Sequence, residues 1–293
     1  MTTSQPMQGN STSTVLGRRL GGELIKLRTA AGLTQTHAAK ALTGSTTKVA
    51  KMERGWVPMR DPDIRALCEL YGVSDPAAVG GLLELAKIDR ERRKAKGWWN
   101  DFPGVGAMHE YVALESVATS IRTWQVSYIP GLLQTPEYAR ALAKGGSTEG
   151  HPDDGEQFVA ARITRQRRLT EEPRLALRAV IHESALRHLV GGEEVMCQQL
   201  ERLEQATELA NVAIQVLPFA AGEHPGMSGA FNIISFTEPG AMDVVYSETA
   251  FGQLWIEGGD EAAQRDKLFA RIASAALTES ESRSFINAVR GEM

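Results

Sequence analysis

The stretch that decides the fold is residues 33–55, which read LTQTHAAKALTGSTTKVAKMERG. Thr34 is a suitable N-cap for a first helix of about nine residues, which Thr43 and Gly44 interrupt. Ser45 is a suitable N-cap for a second helix. The stretch therefore predicts two short helices joined by a tight turn.

The spacing of the apolar residues gives these helices an inner and an outer side. Leu42, Val49 and Met52 fall together on the inner side, where the small Ala39 permits close approach of the second helix. The outer side of the second helix keeps hydroxyl and ammonium groups, which suit base edges and phosphates in a major groove. These groups belong to Thr46, Thr47, Lys48 and Lys51. The pattern predicts a helix-turn-helix that reads DNA, although a plain helical hairpin with a solvated polar face has the same pattern.

Amphipathic helices flank this pair and favour the DNA-binding interpretation. The preceding helix has leucines at three- and four-residue steps, and a following helix has a similar apolar face. Together these elements predict a bundle of five helices that ends near Leu85. The apolar positions are Leu16, Leu20, Leu24 and Leu27 in the first helix, and Ile64, Leu67 and Leu70 in the later one.

The charge of the chain is distributed unevenly, although the net formal charge is only −4. Residues 1–96 contain 16 Lys and Arg against 9 Asp and Glu, whereas the remainder contains 16 against 27. A positive first part suits a module that approaches a polyanion, while the negative remainder keeps the molecule soluble.

Composition indicates two domains, because 293 residues with a hydrophobic content of 42% exceed one ordinary domain. We assign residues 1–13 to a disordered tail, 14–86 to the DNA-binding domain, 87–110 to a basic connector and 111–293 to an α+β domain. The basic run Arg90–Lys96 suits either phosphate contacts or a solvated helix face. Trp98 and Trp99 suit a core or dimer contact better than base stacking.

The second domain is expected to combine helices with a small sheet, which makes the whole chain mainly α with a carboxyl-terminal α+β domain. Short apolar segments predict strands, and longer segments between them predict helices. The predicted strands are LALRAVI, VAIQVLP, AFNIISF and MDVVYSE. The predicted helices are Tyr111–Arg122, a helix from Thr135, Gln157–Leu169, Glu193–Leu209, Asp260–Leu277 and Glu279–Arg290.

The second domain shows no pattern typical of an enzyme. His182 and His188 are six residues apart, whereas zinc sites on one helix face need a spacing of four. We therefore expect no catalytic residues, no metal and no cofactor. The loop GEHPGMSG carries His224, Met227 and Ser228, which either line a ligand or partner site or simply join two strands.

The sequence also predicts where the protein works. No apolar run approaches the roughly 20 residues that span a bilayer, and the amino terminus lacks the apolar core of a secretory signal. We expect a cytoplasmic protein that has no membrane partner. Cys68 and Cys197 lie in apolar helical contexts and are expected to be two buried thiols.

Three segments resemble known families. The helix-turn-helix resembles that of the lambda-repressor-like, or XRE, family. The segments IPGLLQTPEYARAL (129–142) and QVLPFAAGEHPGMSGAFNIISF (215–236) resemble the carboxyl-terminal domain of WhiJ-like actinobacterial regulators. The residues that carry the first resemblance are Arg28, Gly32, Leu33, Thr34, Gln35, Ala39, Ser45, Val49, Lys51, Glu53 and Gly55.

The resemblance implies roles for individual residues. Gln35 is expected to contact the DNA backbone or a base, and Arg28 and Glu53 are expected to form a structural ion pair. Thr43 departs from the family by standing where the turn usually has glycine, and Gly44 stands where it usually has an apolar residue. The predicted DNA-binding residues are Thr34, Gln35, Ser45, Thr46, Thr47, Lys48, Lys51 and Arg54.

These observations predict a sequence-specific transcriptional regulator that binds double-stranded DNA as a homodimer on palindromic half-sites. The resemblance implies that a small partner protein or a small-molecule signal acts through the second domain. Two alternatives remain. One is an antitoxin-like module that sequesters a small partner and binds DNA secondarily. The other is an enzyme fused to a helix-turn-helix, which would need converging catalytic groups.

Overall fold

The computed structural model describes residues 14–94, 102, 108–146, 152–236, 243–249, 252–257 and 259–293. The chain divides into two compact units, Met1–Lys96 and Gly97–Met293. The predicted disordered tail and the paired tryptophans Trp98 and Trp99 lie outside the described residues.

The first unit is a bundle of helices around an apolar core. Leu20, Leu24, Val49, Met52 and Ile64 are almost fully buried in it, as the three- and four-residue spacing requires. The helices in residues 14–94 are α1 (Val15–Ala30), α2 (Gln35–Ala41), α3 (Thr46–Glu53), α4 (Asp61–Leu70) and α5 (Pro76–Lys94).

Residues 87–94, which we assigned to a basic connector, form the last turns of α5. Two of its arginines bind backbone carbonyl groups of the bundle. Arg90 donates to the Met59 oxygen at 2.7 Å, and Arg93 donates to the Gly55 oxygen at 2.6 Å. These two arginines therefore have structural roles, which a run of charged residues does not reveal in the sequence.

The second unit contains helices and a mixed sheet. Its helices are α6 (His109–Val117), α7 (Pro136–Gly146), α8 (Pro152–Gln166), α9 (Glu183–Arg187), α10 (Glu193–Ala206), α11 (Gly259–Ala275) and α12 (Glu279–Gly291). Its strands are β1 (Ser120–Gln125), β2 (Ala176–His182), β3 (Val212–Leu217), β4 (Phe231–Ser235), β5 (Val244–Thr249) and β6 (Gly252–Glu257).

The six strands are arranged in the order β3-β2-β1-β4-β5-β6. Strands β1, β2 and β3 run parallel, and the remaining neighbours are antiparallel. Parallel neighbours need crossover connections, which the intervening helices supply. One face of the sheet buries Trp124, Ile233 and Val245 against Phe269 and Ile272 of α11.

The predicted fold class is confirmed: a helical helix-turn-helix region precedes a domain of helices and a sheet, and the chain is mainly helical. The four predicted strands correspond to β2, β3, β4 and β5. The helix predicted at Tyr111–Arg122 was wrong at its end, since α6 stops at Val117 and β1 begins at Ser120. Pairing with β2 and β4 makes residues 120–125 a strand, and such long-range contacts leave no local pattern in the sequence.

The two cysteines are free thiols with different surroundings. Cys68 is buried in the core of the first unit, as predicted, and burial raises the pKa of its thiol. Cys197 is only partly buried in α10, so its expected full burial was wrong.

Candidate DNA-binding surface

Helices α2 and α3 begin at the predicted caps. The Thr34 backbone N–H donates to Nδ1 of His37 at 3.1 Å, and Ser45 Oγ accepts from the Lys48 backbone N–H at 3.1 Å. Each cap satisfies an N–H group that has no partner inside its own helix. The register of α3 is therefore fixed from Ser45 onward.

The turn between α2 and α3 places a threonine in a conformation that favours glycine. Thr43 has φ +47°, and the N–H groups of Thr43 and Gly44 donate to the carbonyls of Lys40 and Ala39, which closes a Schellman motif. Helices α1, α3 and α4 end in the same hydrogen-bond pattern, but with glycine at the left-handed position. Thr43 therefore carries backbone strain that glycine would relieve.

Thr43→Gly is expected to raise the free energy of unfolding of the first unit by about 1 kcal/mol, because a β-branched residue is disfavoured at positive φ. Chemical denaturation of the full chain, followed by hydrogen exchange in α2 and α3, measures this change. Gly44→Ala is the matched control; a Cβ there lies 3.4 Å from its nearest neighbour atom, so little change is expected. A less stable Thr43→Gly protein would contradict the strain.

Helix α3 ends against the backbone of α1. A Cβ on Gly55 would lie 2.2 Å from the Arg18 nitrogen, and a Cβ on Gly21 would lie 2.1 Å from the Glu53 oxygen. Real side chains do not reach such distances, so glycines allow the two backbones to touch. This close contact fixes α3 relative to the rest of the bundle.

A buried polar network joins the first three helices. Glu53 of α3 accepts hydrogen bonds from Arg28 of α1 at 2.6 and 3.2 Å, and from Gln35 of α2 at 2.7 Å. Arg28 also donates to the Leu33 carbonyl at 2.9 Å. The hydrogen bond to Glu53, which outweighs burial, raises the pKa of Arg28 above its usual value. The network therefore orients Gln35, whose Nε2 is already partly used.

The outer side of α3 forms a continuous strip at helical spacing, which we call the α3 strip. Thr46, Thr47 and Lys51 are exposed, and their side chains have no hydrogen bond or ion pair with the part of the chain that the structure describes. The half-buried Ala50 lies between them. Its methyl group suits contact with a thymine methyl, and its position one turn after Thr46 is the signal that our prediction missed. The strip comprises Thr46, Thr47, Ala50, Lys51 and Arg54.

Lys48 does not belong to the α3 strip. Its Nζ lies 3.5 Å from Oδ2 of Asp63 on α4, and 38% of its side chain is exposed. Burial opposes ionisation of the Asp63 carboxyl, but its hydrogen bonds with Arg60 and the charge of Lys48 outweigh burial and lower its pKa. Lys48 therefore faces a carboxylate, whereas we expected it beside Thr46 and Thr47.

Arg54 closes the strip at its carboxyl-terminal end. Its guanidinium carbon lies 5.7 Å from the centroid of the Trp56 ring, and both side chains are exposed. An arginine over an aromatic face loses some of its conformational freedom. Trp56 was not among the predicted site residues, since one tryptophan after a glycine carries no distinctive pattern.

The predicted ligand or partner loop in the second unit is held against the sheet. Trp124 donates from Nε1 to the Gly226 carbonyl at 2.9 Å, and His224 Nδ1 accepts from the Gly226 N–H at 3.2 Å. Met227 is 71% exposed, whereas His224 packs near His182 with ring centroids 5.5 Å apart. The described residues contain no group of three or more side chains arranged to hold a metal ion.

Comparison with known families supports this division. A model described as a helix-turn-helix domain matches residues 19–79, and a model described as a domain of unknown function (DUF5753) matches residues 108–288. No curated protein and no solved structure matches the chain.

The matched first domain, together with the α3 strip, defines the class: this is a DNA-binding regulator with a helix-turn-helix domain. The second match covers more than half of the chain. The chain therefore belongs to the DUF5753 family.

Proposed function

We propose that this protein is a sequence-specific transcriptional regulator that binds palindromic half-sites as a homodimer. The observation that supports the proposal most strongly is the α3 strip, where the exposed hydroxyls of Thr46 and Thr47 and the ammonium of Lys51 face away from a rigid bundle. Groups of this kind exchange contacts with water for contacts with base edges and phosphates at little cost.

The proposed contacts divide by chemistry. Thr46 and Thr47 reach base edges, whereas Lys51 and Arg54 bind phosphates at the next turns of the helix. Thr34, Gln35 and Ser45 lie at the amino-terminal ends of α2 and α3 and are proposed to contact the DNA backbone. Lys48 contributes to the DNA interface by exchanging its contact with Asp63 for a phosphate or a base.

Homodimer formation follows from the small size of one reading helix, which contacts few base pairs alone. We assign the dimer contacts to the second domain. The resemblance to WhiJ-like regulators implies that the same domain receives a ligand or a small partner protein. The signal must bind the DNA-competent and incompetent forms with different affinities. We assign no catalysis to the protein and place it with the chromosome, in the cytoplasm.

The described helices include none that is both long and apolar enough to cross a membrane.

Fluorescence anisotropy of the full chain tests the proposal, with the DNA upstream of its own gene and a scrambled duplex compared from about 50 to 200 mM salt. A preference of about a thousandfold supports a specific regulator. Equal and steeply salt-dependent binding to both duplexes contradicts specific binding to the upstream DNA and favours the antitoxin-like alternative, in which the second domain sequesters a partner.

Substitutions in the α3 strip are expected to separate affinity from preference. Lys51→Ala should weaken binding to both duplexes alike and reduce the salt slope by about 1, because it removes a phosphate contact. Thr46→Ala or Thr47→Ala should reduce the preference by about 1–3 kcal/mol for each base that the threonine hydroxyl reads.

Lys87→Ala is the matched control, since this lysine is exposed on α5 and, among the described residues, its ion pair is with Glu84 on its own helix. Its loss should leave both the affinity and the preference unchanged. The assigned reading residues are wrong if the affinity for both duplexes falls equally in all three variants, Lys51→Ala, Thr46→Ala and Thr47→Ala.

A further inference from the structure

The second unit contains a cavity of about 860 Å³ between the sheet and helices α7 and α8. This volume lies within the range of sites that hold small organic ligands, which is about 300–1,000 Å³. Leu142, Phe158 and Val190 contribute apolar surface to its wall. The loop residues that we predicted as a ligand site, His224, Met227 and Ser228, do not line it.

A row of polar side chains crosses the sheet on the side of the cavity. Thr123 of β1 pairs with Asn232 of β4, which in turn pairs with Tyr246 of β5, so these residues are neighbours on one face. Gln125 donates to Thr123 Oγ1 at 3.0 Å and extends the row. All four residues line the cavity. A polar row on an inward sheet face suits orientation of a ligand better than packing of a core.

Two residues that line this cavity each have a buried polar atom without a hydrogen-bond partner among the described residues: Nε of Arg162 and the hydroxyl of Tyr246. Buried polar atoms are normally paired, so an unpaired one requires an explanation. Both residues border the same cavity, although they come from α8 and β5. Both atoms have almost no contact with solvent, so a ligand that accepts hydrogen bonds from them must displace the surrounding side chains slightly.

Arg162 is also a charge without an acidic partner. Its neighbour Arg165 forms two hydrogen bonds with the buried Glu115, at 2.6 and 2.7 Å. Arg162 instead donates to the amide oxygen of Gln134 at 2.7 Å, and the described part of the chain places no carboxylate in an ion pair with it. Burial lowers the pKa of Arg162 to about 10, so its guanidinium remains charged at neutral pH.

The surroundings of Arg162 favour a carboxylate over a phosphate. Its guanidinium carbon lies 4.4 Å from the centroid of Phe158, which fixes the plane of the group. A planar fork with unused N–H groups matches one carboxylate. The other charged residues on the wall are Arg165, already neutralised by Glu115, and the exposed Glu248. Arg162 has no ion pair among the described residues, and the nearby charges of Glu115 and Glu248 would repel a second negative charge, so this site suits a monoanion.

We propose that this cavity binds a small organic acid, with its carboxylate on Arg162 and Tyr246 and its apolar body against Leu142, Phe158 and Val190. This proposal identifies the chemical class of the signal, so its regulatory meaning rests on the proposed control of DNA binding. Binding itself is measured without DNA, so failure of one proposal is distinguishable from failure of the other.

Isothermal titration calorimetry of the full chain tests this inference with two acids, naphthylacetate and dodecanoate, and with their neutral primary amides. Each acid is expected to bind about 10- to 100-fold more tightly than its amide, since each hydrogen bond to a charged group contributes more than a neutral one. Inorganic phosphate serves as the competing anion and is not expected to displace either acid.

Substitutions assign the binding to the cavity. Arg162→Gln should remove the preference for acid over amide, whereas Arg167→Gln, at an arginine that is 69% exposed, should leave it unchanged. Tyr246→Phe should weaken acid binding while leaving the melting temperature of the unliganded chain equal or higher, because it removes a buried hydroxyl without a partner. If Tyr246 had only a structural role, Tyr246→Phe would leave acid binding unchanged and lower the melting temperature.

Three results would overturn the inference. The first is equal affinity for acids and amides, or binding of none of them. The second is a folded Arg162→Gln or Tyr246→Phe protein that binds the acids as the wild type does. The third is displacement of the acids by phosphate at equal concentration, which would identify a phosphate site instead.

Discussion

Gly55→Ala is expected to lower the free energy of unfolding of the first unit by about 3 kcal/mol and to abolish specific DNA binding. Two costs combine. The residue has φ +69°, where alanine is strained by about 1–2 kcal/mol. Its Cβ would also meet backbone atoms of Arg18 and Gly17 at 2.2 and 2.4 Å, and relief of that overlap costs about 1–3 kcal/mol. Helix α3 must move away from α1, and the α3 strip moves with it.

Gly32→Ala separates these two costs, because Gly32 has the same φ of +69° but no atom within 4 Å of the position that a Cβ would occupy. Its loss of stability should be about 1 kcal/mol, with specific DNA binding retained. Hydrogen-exchange mass spectrometry of the full chain measures both effects in peptides from α1 and α3. Equal destabilisation by Gly55→Ala and Gly32→Ala would show that the close contact between α1 and α3 adds nothing to the stability loss of Gly55→Ala.

Glu53→Gln is expected to lower the same free energy of unfolding by about 3 kcal/mol, because it leaves the guanidinium of Arg28 without its acidic partner. The two side chains are only 5% and 14% exposed, so water cannot replace the missing interaction well. Gln35 loses its charged acceptor in the same substitution. We therefore expect weaker DNA binding as well as lower stability.

Glu23→Gln is the matched control for this substitution. Glu23 pairs with Lys26 on the surface of α1, where 75% of the lysine side chain is exposed. Exposed pairs of this kind contribute about 0–1 kcal/mol, so the free energy of unfolding should hardly change. Urea unfolding of both proteins gives the comparison. A stability loss as small for Glu53→Gln as for Glu23→Gln would exclude the buried network as a determinant of the fold.

The sequence predicted the helix-turn-helix well because its signals are local. Thr34 and Ser45 are caps that act within one turn, and Val49 and Met52 follow the helical period, so the boundaries of α2 and α3 need no knowledge of distant residues. The strands β2 to β5 were predicted for a similar reason, since short β-branched segments between turn residues are recognisable alone.

The remaining features depend on contacts between residues distant in sequence. The contact of Lys48 with Asp63 could not be predicted, because Asp63 lies on another helix. Strand β1 was taken for the end of a helix because its pairing with β2 crosses more than fifty residues. The unpaired charge of Arg162 could not be distinguished from the paired charge of Arg165, which lies one helical turn away on α8. In each case, the missing information is the identity of the partner.

Enrichment of a random duplex library by the full-length protein, compared with the Thr46→Ala, Thr47→Ala double variant, tests most directly the claim that the α3 strip reads DNA. The account predicts that the wild type enriches an inverted repeat, and that the folded variant enriches a relaxed sequence at symmetry-related positions. Enrichment of no sequence by the wild type, or of the same sequence by both proteins, would contradict it.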